Sequence, residues 1–382
     1  MLTQRIAERL ARQHRQGLYR DPAVIFTRGG RTVQVGRRQL LNFASNDYLG
    51  LGASKPLARE LARNFEKWGS SGSSSRLVSG NYGVIGEAEA ALAEYFGYDR
   101  ALIYPSGYQC NLGVIGTVFE KGDRVFADKH VHASSIAAVK LSRARFHGFK
   151  HNCMDHLERR MAGLAPHPAG LLTESLFSMD GDLLDVKGLV PIQRRHALMT
   201  IVDEAHAFGA LGYKGQGIAR CVADIAVGTF GKALGLFGAF ALMPQTLREY
   251  LMNFSSPLIY TTTLPEAHGA SVLSVLKCVA AADDERQQLA RVSVAMKTRL
   301  QEAGFTVRGD AHIIAVEIGS EKFAGALCKR LFDRGLFVFS ARFPTVPLHR
   351  AILRLSMTAR HTLSDVNALV TALKEAHHEL GL

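Results

Sequence analysis

Between residues 100 and 245 short apolar runs recur at intervals that one helix or loop can fill. ALIY (101–104), RVFAD (124–128), GLLTES (170–175), LMTIVDE (198–204), IAVGTF (225–230) and GAFALM (238–243) each suit one buried strand. Strands covered on both faces read as nearly continuous apolar runs, and parallel neighbours need a crossover between them. The pattern therefore predicts an α/β fold with a mostly parallel central sheet. Upstream, residues 54–68 predict a helix, with Ser54 as cap, Pro56 in the first turn, Leu57, Leu61, Phe65 and Trp68 on one face, and Gly69 as stop. Residues 84–96 and 107–119 read as helices too, whereas GSSGSSS (69–75) reads as a flexible loop.

The tail changes character. Helices are expected over 265–281 and 285–303, the second with Leu289, Val292, Met296 and Leu300 on one face and Gly304 as stop. The runs HIIAVEIG, LFVFSA and ILRLSMT then read as strands around a helix near 322–334. Ser364 is placed as the cap of a last helix carrying Val366, Leu369, Val370 and Leu373. The expected division is an N-terminal helix and arm (1–45), a large cofactor-binding domain (46–275) and a smaller α+β C-terminal domain (276–382), with the N-terminal helix completing the last.

A net charge of +12 allows nucleic acid, a membrane surface or an anionic small substrate as partner. No block of consecutive Lys/Arg supports the first two. Arg5, Arg9 and Arg12 share one helical face, read as a solvated surface that can also guide an anion. No uncharged apolar stretch is long enough to cross a membrane, and the N-terminus is too charged for a secretory signal. Five scattered cysteines without a C-x-x-C pair suggest neither a zinc site nor a disulfide framework, and the expected compartment is the cytoplasm.

Three segments carry chemistry. GTFGKALG (228–235) places Lys232 just past an apolar strand, where a lysine amine can form a Schiff base with an aldehyde cofactor. IVDEAHAFG (201–209) ends an apolar strand in Asp203, an acid that suits the ring nitrogen of pyridoxal phosphate. YPSGYQCN (104–111) puts Ser106, Gly107 and Tyr108 where a strand turns into a helix, and backbone N–H groups at a helix start bind phosphate. DEAH also spells the acidic motif of a helicase. A phosphate-binding loop of the form G-x-x-x-x-G-K-[ST] is required for that reading, and Gly228–Lys232 has only two residues between its glycines and Ala233 after the lysine. His130, His132 and Asp128 could suggest a metal, but histidines two apart on one strand point to opposite faces, so no metal is expected.

Taken in series, SNDYLGL (45–51), SRLVSGN (75–81), SGYQCN (106–111), His132-Ala-Ser, ESLFSMDGD (174–182), DEAHAFG, GTFGKALG and FPTVP (343–347) resemble the α-oxoamine synthases, fold-type I pyridoxal-phosphate enzymes. The resemblance covers nearly the whole chain. It implies decarboxylative condensation of a small amino acid with an acyl-CoA, and a homodimer with active sites at the interface. It makes Lys232 the Schiff-base lysine, Asp203 the partner of the pyridine nitrogen and His132 the ring-stacking imidazole. His206 and Ser178 fall near the phenolic oxygen. Gly107, Tyr108 and Thr229 form the phosphate cradle, and Thr262 reaches the phosphate of the neighbouring subunit. Asn46 and Arg354 hold the substrate carboxylate, and Arg20 meets the acyl substrate. The substrates expected first are alanine and a dicarboxylic, pimeloyl-type acyl-CoA of the biotin pathway. The chain is similar also to autoinducer synthases using a medium-chain acyl-CoA, and an aminotransferase on the same fold is the alternative of another class. Gly86, Cys153 and Phe343 stand where the family's pattern differs, which bears on the substrates.

Overall fold

The chain opens with a helix, Leu2–Arg15, that buries none of its residues. It then makes three short strands, β1 (Ile25–Arg28), β2 (Thr32–Val35) and β3 (Arg38–Asn42), in an antiparallel meander. This computed structural model describes residues 1–162 and 169–381. The meander lies where only a helix and arm were expected. Its strands are only four or five residues long; Ile25–Arg28 and Arg38–Asn42 show no apolar alternation, and that of Thr32–Val35 is too short to mark a strand. Two compact units emerge: a smaller one of Met1–Tyr48, Met179–Asp182 and Gln287–Leu382, and a larger one of Leu49–Ser178 and Leu183–Arg286.

The larger unit is built on β4 (Arg100–Tyr104), β5 (Arg124–Asp128), β6 (Arg145–Phe149), β7 (Ala169–Glu174), β8 (Met199–Asp203), β9 (Ile225–Thr229) and β10 (Ala239–Met243). Their order is β4-β10-β9-β8-β7-β5-β6. From β9 to β6 every pair is parallel, and β10 runs antiparallel to both β9 and β4. Six of the strands correspond to the apolar runs. The seventh, RFHGF, lies at the sheet edge with only Phe149 buried, so it lacks the run a central strand needs. Helices Gly107–Val118 and Ala133–Ser142 pack together and against the sheet through Val114, Ile115, Ala138 and Val139. Each fully buried valine or isoleucine contributes about 1.5–3 kcal/mol.

Helix Lys55–Trp68 begins as expected, its cap Ser54 accepting the Leu57 N–H. It packs with Gly83–Phe96 against Glu266–Ala280, so this last helix belongs wholly to the larger unit and the boundary lies at Arg286 instead of 275. The 69–75 loop is also tied down. Ser75 bridges Thr262, and the Thr263 N–H donates to the Ser74 carbonyl at 2.9 Å.

The smaller unit resumes with helix Asp283–Glu302, most of which belongs to it, and β11 (Val307–Arg308), β12 (Ile313–Gly319), β13 (Leu336–Phe337), β14 (Phe339–Ala341) and β15 (Ala351–Ser356). The run LFVFSA is two strands. Its first half, β13, pairs parallel to β3, and its second half, β14, joins the antiparallel sheet β11-β12-β15-β14. No helix among the described residues is long and apolar enough to cross a membrane.

The last helix, Leu363–Glu379, corrects the expected cap. Thr362, not Ser364, closes it: the Thr362 hydroxyl accepts the Asp365 N–H at 3.2 Å while the Asp365 carboxylate accepts the Thr362 N–H at 2.8 Å. A reciprocal box of this kind needs a carboxylate three residues after the cap, which Ser364 does not have. Thr362→Ala should lower unfolding stability by about 1 kcal/mol. Ser364→Ala, in the exposed first turn, should stay within about 0.5 kcal/mol. Urea midpoints of the two variants test this, and a larger loss for Ser364→Ala would refute the assignment.

Candidate active site

Parallel strands deliver their last residues to one edge of the sheet, and in the larger unit these are polar. β7 ends in Glu174, β8 in Asp203 and β9 in Thr229, with Glu174 directly opposite Asp203 in register. Ligands bind where such strand ends meet the starts of the crossover helices.

Asp203 is held on both oxygens. Oδ2 accepts the Asn111 side-chain amide at 3.0 Å, and Oδ1 accepts the Ala205 N–H at 3.0 Å. The same Asn111 amide donates to the Ser134 hydroxyl at 2.9 Å, so one buried side chain ties the two helices that start beside the sheet to β8. Past β9 the chain turns sharply, and Lys232 brings Nζ to 2.8 Å from His206 Nε2. Gly235 fixes that turn: its φ is +69°, and a Cβ there would lie 2.5 Å from the Gly52 nitrogen.

His132 caps helix Ala133–Ser142, its Nδ1 lying 2.7 Å from the Ser134 hydroxyl. It sits in the loop beyond β5, not on the strand, and His130 in the same loop stacks on His151 at 4.0 Å. Burial pushes the His132 imidazole below its usual range, against the pull of the Asp203 charge. Ser106 caps helix Gly107–Val118 by accepting the Gln109 N–H, and the helix start leaves the Gly107 and Tyr108 N–H groups without intrahelical acceptors. A Cβ on Gly107 would reach within 4.0 Å of Thr229. The Thr229 hydroxyl donates to the Gly238 carbonyl at 3.0 Å and accepts the Gly231 N–H at 3.1 Å.

Ser178 donates its N–H to Glu174 Oε2 at 3.1 Å. Thr262 is exposed, beside the equally exposed Tyr260. The donor set fits pyridoxal phosphate: an amine beside an imidazole for the aldehyde, a fixed carboxylate for the ring nitrogen, and a helix start for the phosphate. Within DEAH, Glu204 has a different task. It is buried and accepts the Ile218 and Ala219 N–H groups, and burial pushes its carboxyl up to about 7.

The smaller unit brings Asn46 and Arg354 together. Arg354, buried on β15, donates to the Ser356 hydroxyl at 2.6 Å, and both its terminal nitrogens meet Asn46 Oδ1 at 3.4 Å. The Tyr48 hydroxyl donates to the same Asn46 oxygen at 3.1 Å. Burial pushes that phenol up to about 12, against the pull of Arg354. With its oxygen turned to these donors, the Asn46 amide presents its N–H groups the other way, as a carboxylate requires. Arg20 is exposed and lines a crevice of about 640 Å³ with Leu18, Phe339, Arg342 and Phe343.

The sequence reading missed Tyr48, Asn111 and Glu174 as site residues. Glu174 carried a usable signal, since it ends the run GLLTES as Asp203 ends LMTIVDE. Of the three departures, Gly86 occupies an exposed helical position with open space around it, while the nearby Glu89 is buried and paired with Arg76. Cys153 starts helix Met154–Met161, and the turn there is held by Asn152, which donates to the Leu183 carbonyl and accepts the Asp185 N–H. Phe343 is half-exposed at the crevice.

Residues 38–373 match the family described as aminotransferase class I and II. The chain is 36% identical over 386 residues to 8-amino-7-oxononanoate synthase of Chlorobaculum parvum, covering 98% of each. It is 37% identical to the enzyme of that name from Geobacter sulfurreducens, over the full length of both. Among solved structures, a serine palmitoyltransferase of S. paucimobilis with bound pyridoxal phosphate and myriocin superposes with a TM-score of 0.91 at 26% identity, covering 98% of this chain and 97% of that one. An 8-amino-7-oxononanoate synthase from Francisella tularensis gives 0.78 at 30% identity, covering 89% and 99%. The fold is fold type I, the cofactor is pyridoxal phosphate, and the chain belongs to the α-oxoamine synthases, acyltransferases that condense an amino acid with an acyl-CoA and release carbon dioxide.

Proposed function

We propose that the substrates are a small amino acid, alanine first, and an acyl-CoA whose chain ends in a carboxylate, as in 8-amino-7-oxononanoate synthesis. The observation that carries the acyl half is the crevice lined by two arginines, Arg20 and Arg342, and one acid, Asp21, among Leu18, Phe339 and Phe343. Apolar walls suit a methylene chain, and a guanidinium suits a terminal carboxylate. The length-spanning similarity to enzymes of that name supports the same pair. The apolar share of the lining favours a second reading, a medium-chain acyl-CoA as in autoinducer synthesis.

When bound, pyridoxal phosphate supplies the electron sink for the carbanion formed at the amino-acid Cα. Lys232 would hold the cofactor through its amine, and its Nζ would be the base that takes the proton from the substrate Cα and later returns it. His206 Nε2, 2.8 Å from Nζ, fixes the position of that amine. Asp203, fixed by Asn111 and the Ala205 N–H, keeps a proton on the ring nitrogen. His132, kept neutral by burial, offers a stacking face without adding positive charge. Ser178 and His206 serve the phenolic oxygen, and Ser106, Gly107, Tyr108 and Thr229 the phosphate. Arg354 and Asn46 hold the substrate carboxylate.

The working form in this reading is a homodimer in the cytoplasm. Leu77, Val78 and Tyr260 are exposed apolar side chains on the paired segments that carry Ser75 and Thr262, a surface a second copy would cover while Thr262 reaches its phosphate.

Lys232→Ala should abolish covalent attachment of the cofactor, read by mass spectrometry after borohydride reduction; attachment at another lysine would sink the assignment. Arg354→Ala should raise the amino-acid KM about 10- to 100-fold, as expected for losing about 1.5–3 kcal/mol of charge-assisted bonding, with little change in the acyl-CoA KM. For the substrates, CoA release is measured with alanine, glycine, serine and 2-aminobutyrate against pimeloyl-, acetyl-, decanoyl- and palmitoyl-CoA. Alanine with pimeloyl-CoA should be best. A preference for 2-aminobutyrate with decanoyl-CoA would overturn that in favour of the second reading, and turnover without CoA release would indicate an aminotransferase.

A further inference from the structure

Glu174 has no part in the scheme above, yet it lies at its centre. It ends β7 directly opposite Asp203 and is 3% exposed. Oε2 accepts the Ser178 N–H at 3.1 Å, and the His132 N–H also bonds the carboxyl group. Oε1 is buried and has no hydrogen-bond partner among the described residues.

The charges around it come from every neighbouring element. Asp203 stands on β8, and Lys232 lies in the turn after β9 with His206 against its amine. On the other side, at the end of β5, Asp128 spends its oxygens on His151 and on the His130 and Asn152 N–H groups. An ionised Glu174 would leave a bare carboxylate oxygen in the interior beside a second carboxylate, which is costly on both counts. Asp203 already has a donor on each oxygen, which Glu174 lacks. A proton on Oε1 removes the conflict.

We propose that Glu174 is a positioning acid of this site: it carries a proton on Oε1, leaves Asp203 as the ionised carboxylate of the pair, and by losing that proton adds a second negative charge that holds Lys232 protonated. Burial, reinforced by the Asp203 charge, pushes the Glu174 carboxyl up to about 8, so the proton is present at neutral pH and leaves on the alkaline side. Below that point the pair carries one negative charge and the Lys232 amine more readily gives up its proton; above it, the amine is held charged.

The inference rests on the role given to Lys232 only in its second half, and the test separates the halves. Infrared spectra of the holoprotein, and of the same protein stripped of cofactor, are recorded across pH 6 to 10. A protonated-carboxyl band should be present at pH 6.5, lost toward pH 9.5, and missing at all pH values in Glu174→Gln. In Asp203→Asn, where the neighbouring charge is gone, the band should disappear at lower pH than in the unaltered protein. No such band at pH 6.5, or a band that survives in Glu174→Gln, would overturn the proposal whatever Lys232 does. Cofactor absorbance gives the second arm: an alkaline transition in the unaltered holoprotein should vanish in Glu174→Gln, whose amide stands in for the protonated acid. An unchanged transition in that variant, with the infrared band assigned to Glu174, would overturn the link to Lys232 alone.

Discussion

The carboxylate of Asp203, pinned at the end of a parallel strand, is the constraint on which the larger unit depends. A parallel sheet makes every chain leave by the same edge, so residues far apart in sequence arrive side by side there. Asn111 turns that arrival into a fixed geometry by joining β8 to Ser134 on the next crossover helix. The antiparallel β10 completes the edge from the other direction, returning Gly238 to accept the Thr229 hydroxyl and close the turn that carries Lys232.

Buried carboxyl groups crowd this region, and the fold gives each a different solution. Asp203 takes one side-chain donor and one backbone donor. Glu204, the next residue, turns the other way and gathers two backbone N–H groups from the loop at 218–219. Glu89 accepts the Arg76 guanidinium and the Ile103 N–H. Unpaired, any of these would be expensive in a low-dielectric interior. The DEAH tetrapeptide is thus no functional unit of its own: Asp203 and His206 face the site, while Glu204 braces the backbone beneath it.

The parallel core was legible in the sequence because burial on both faces leaves no room for polar residues, and that writes an apolar run for each central strand. β6 and the β1–β3 meander escaped for the converse reason: edge and short strands need no such run. Lys232, Asp203 and His132 could be singled out as candidates because they stand in motifs next to strand ends. Tyr48 and Asn111 were not, although both lie inside quoted motifs, because their importance comes from what they orient across the fold. Tyr48 shares one oxygen of Asn46 with Arg354, 306 positions further along, and no local pattern encodes such a meeting. The Ser364 error was one of competing local rules, where a serine near a helix start lost to the threonine that had an acid three residues on.

The split of LFVFSA between two sheets has a consequence for how the protein is made. β3 leaves the ribosome early, but the edge strand it pairs with, β13, is encoded almost 300 residues later. Until then the meander has one unsatisfied edge, and Val33 and Leu40, buried in the finished unit, wait without their full cover. The larger unit lies almost entirely between them in the sequence, so most of it can form while the chain is still growing. The middle unit can thus form before β3 and β13 meet, and the open edge of β3 is exposed to mispairing in the interval.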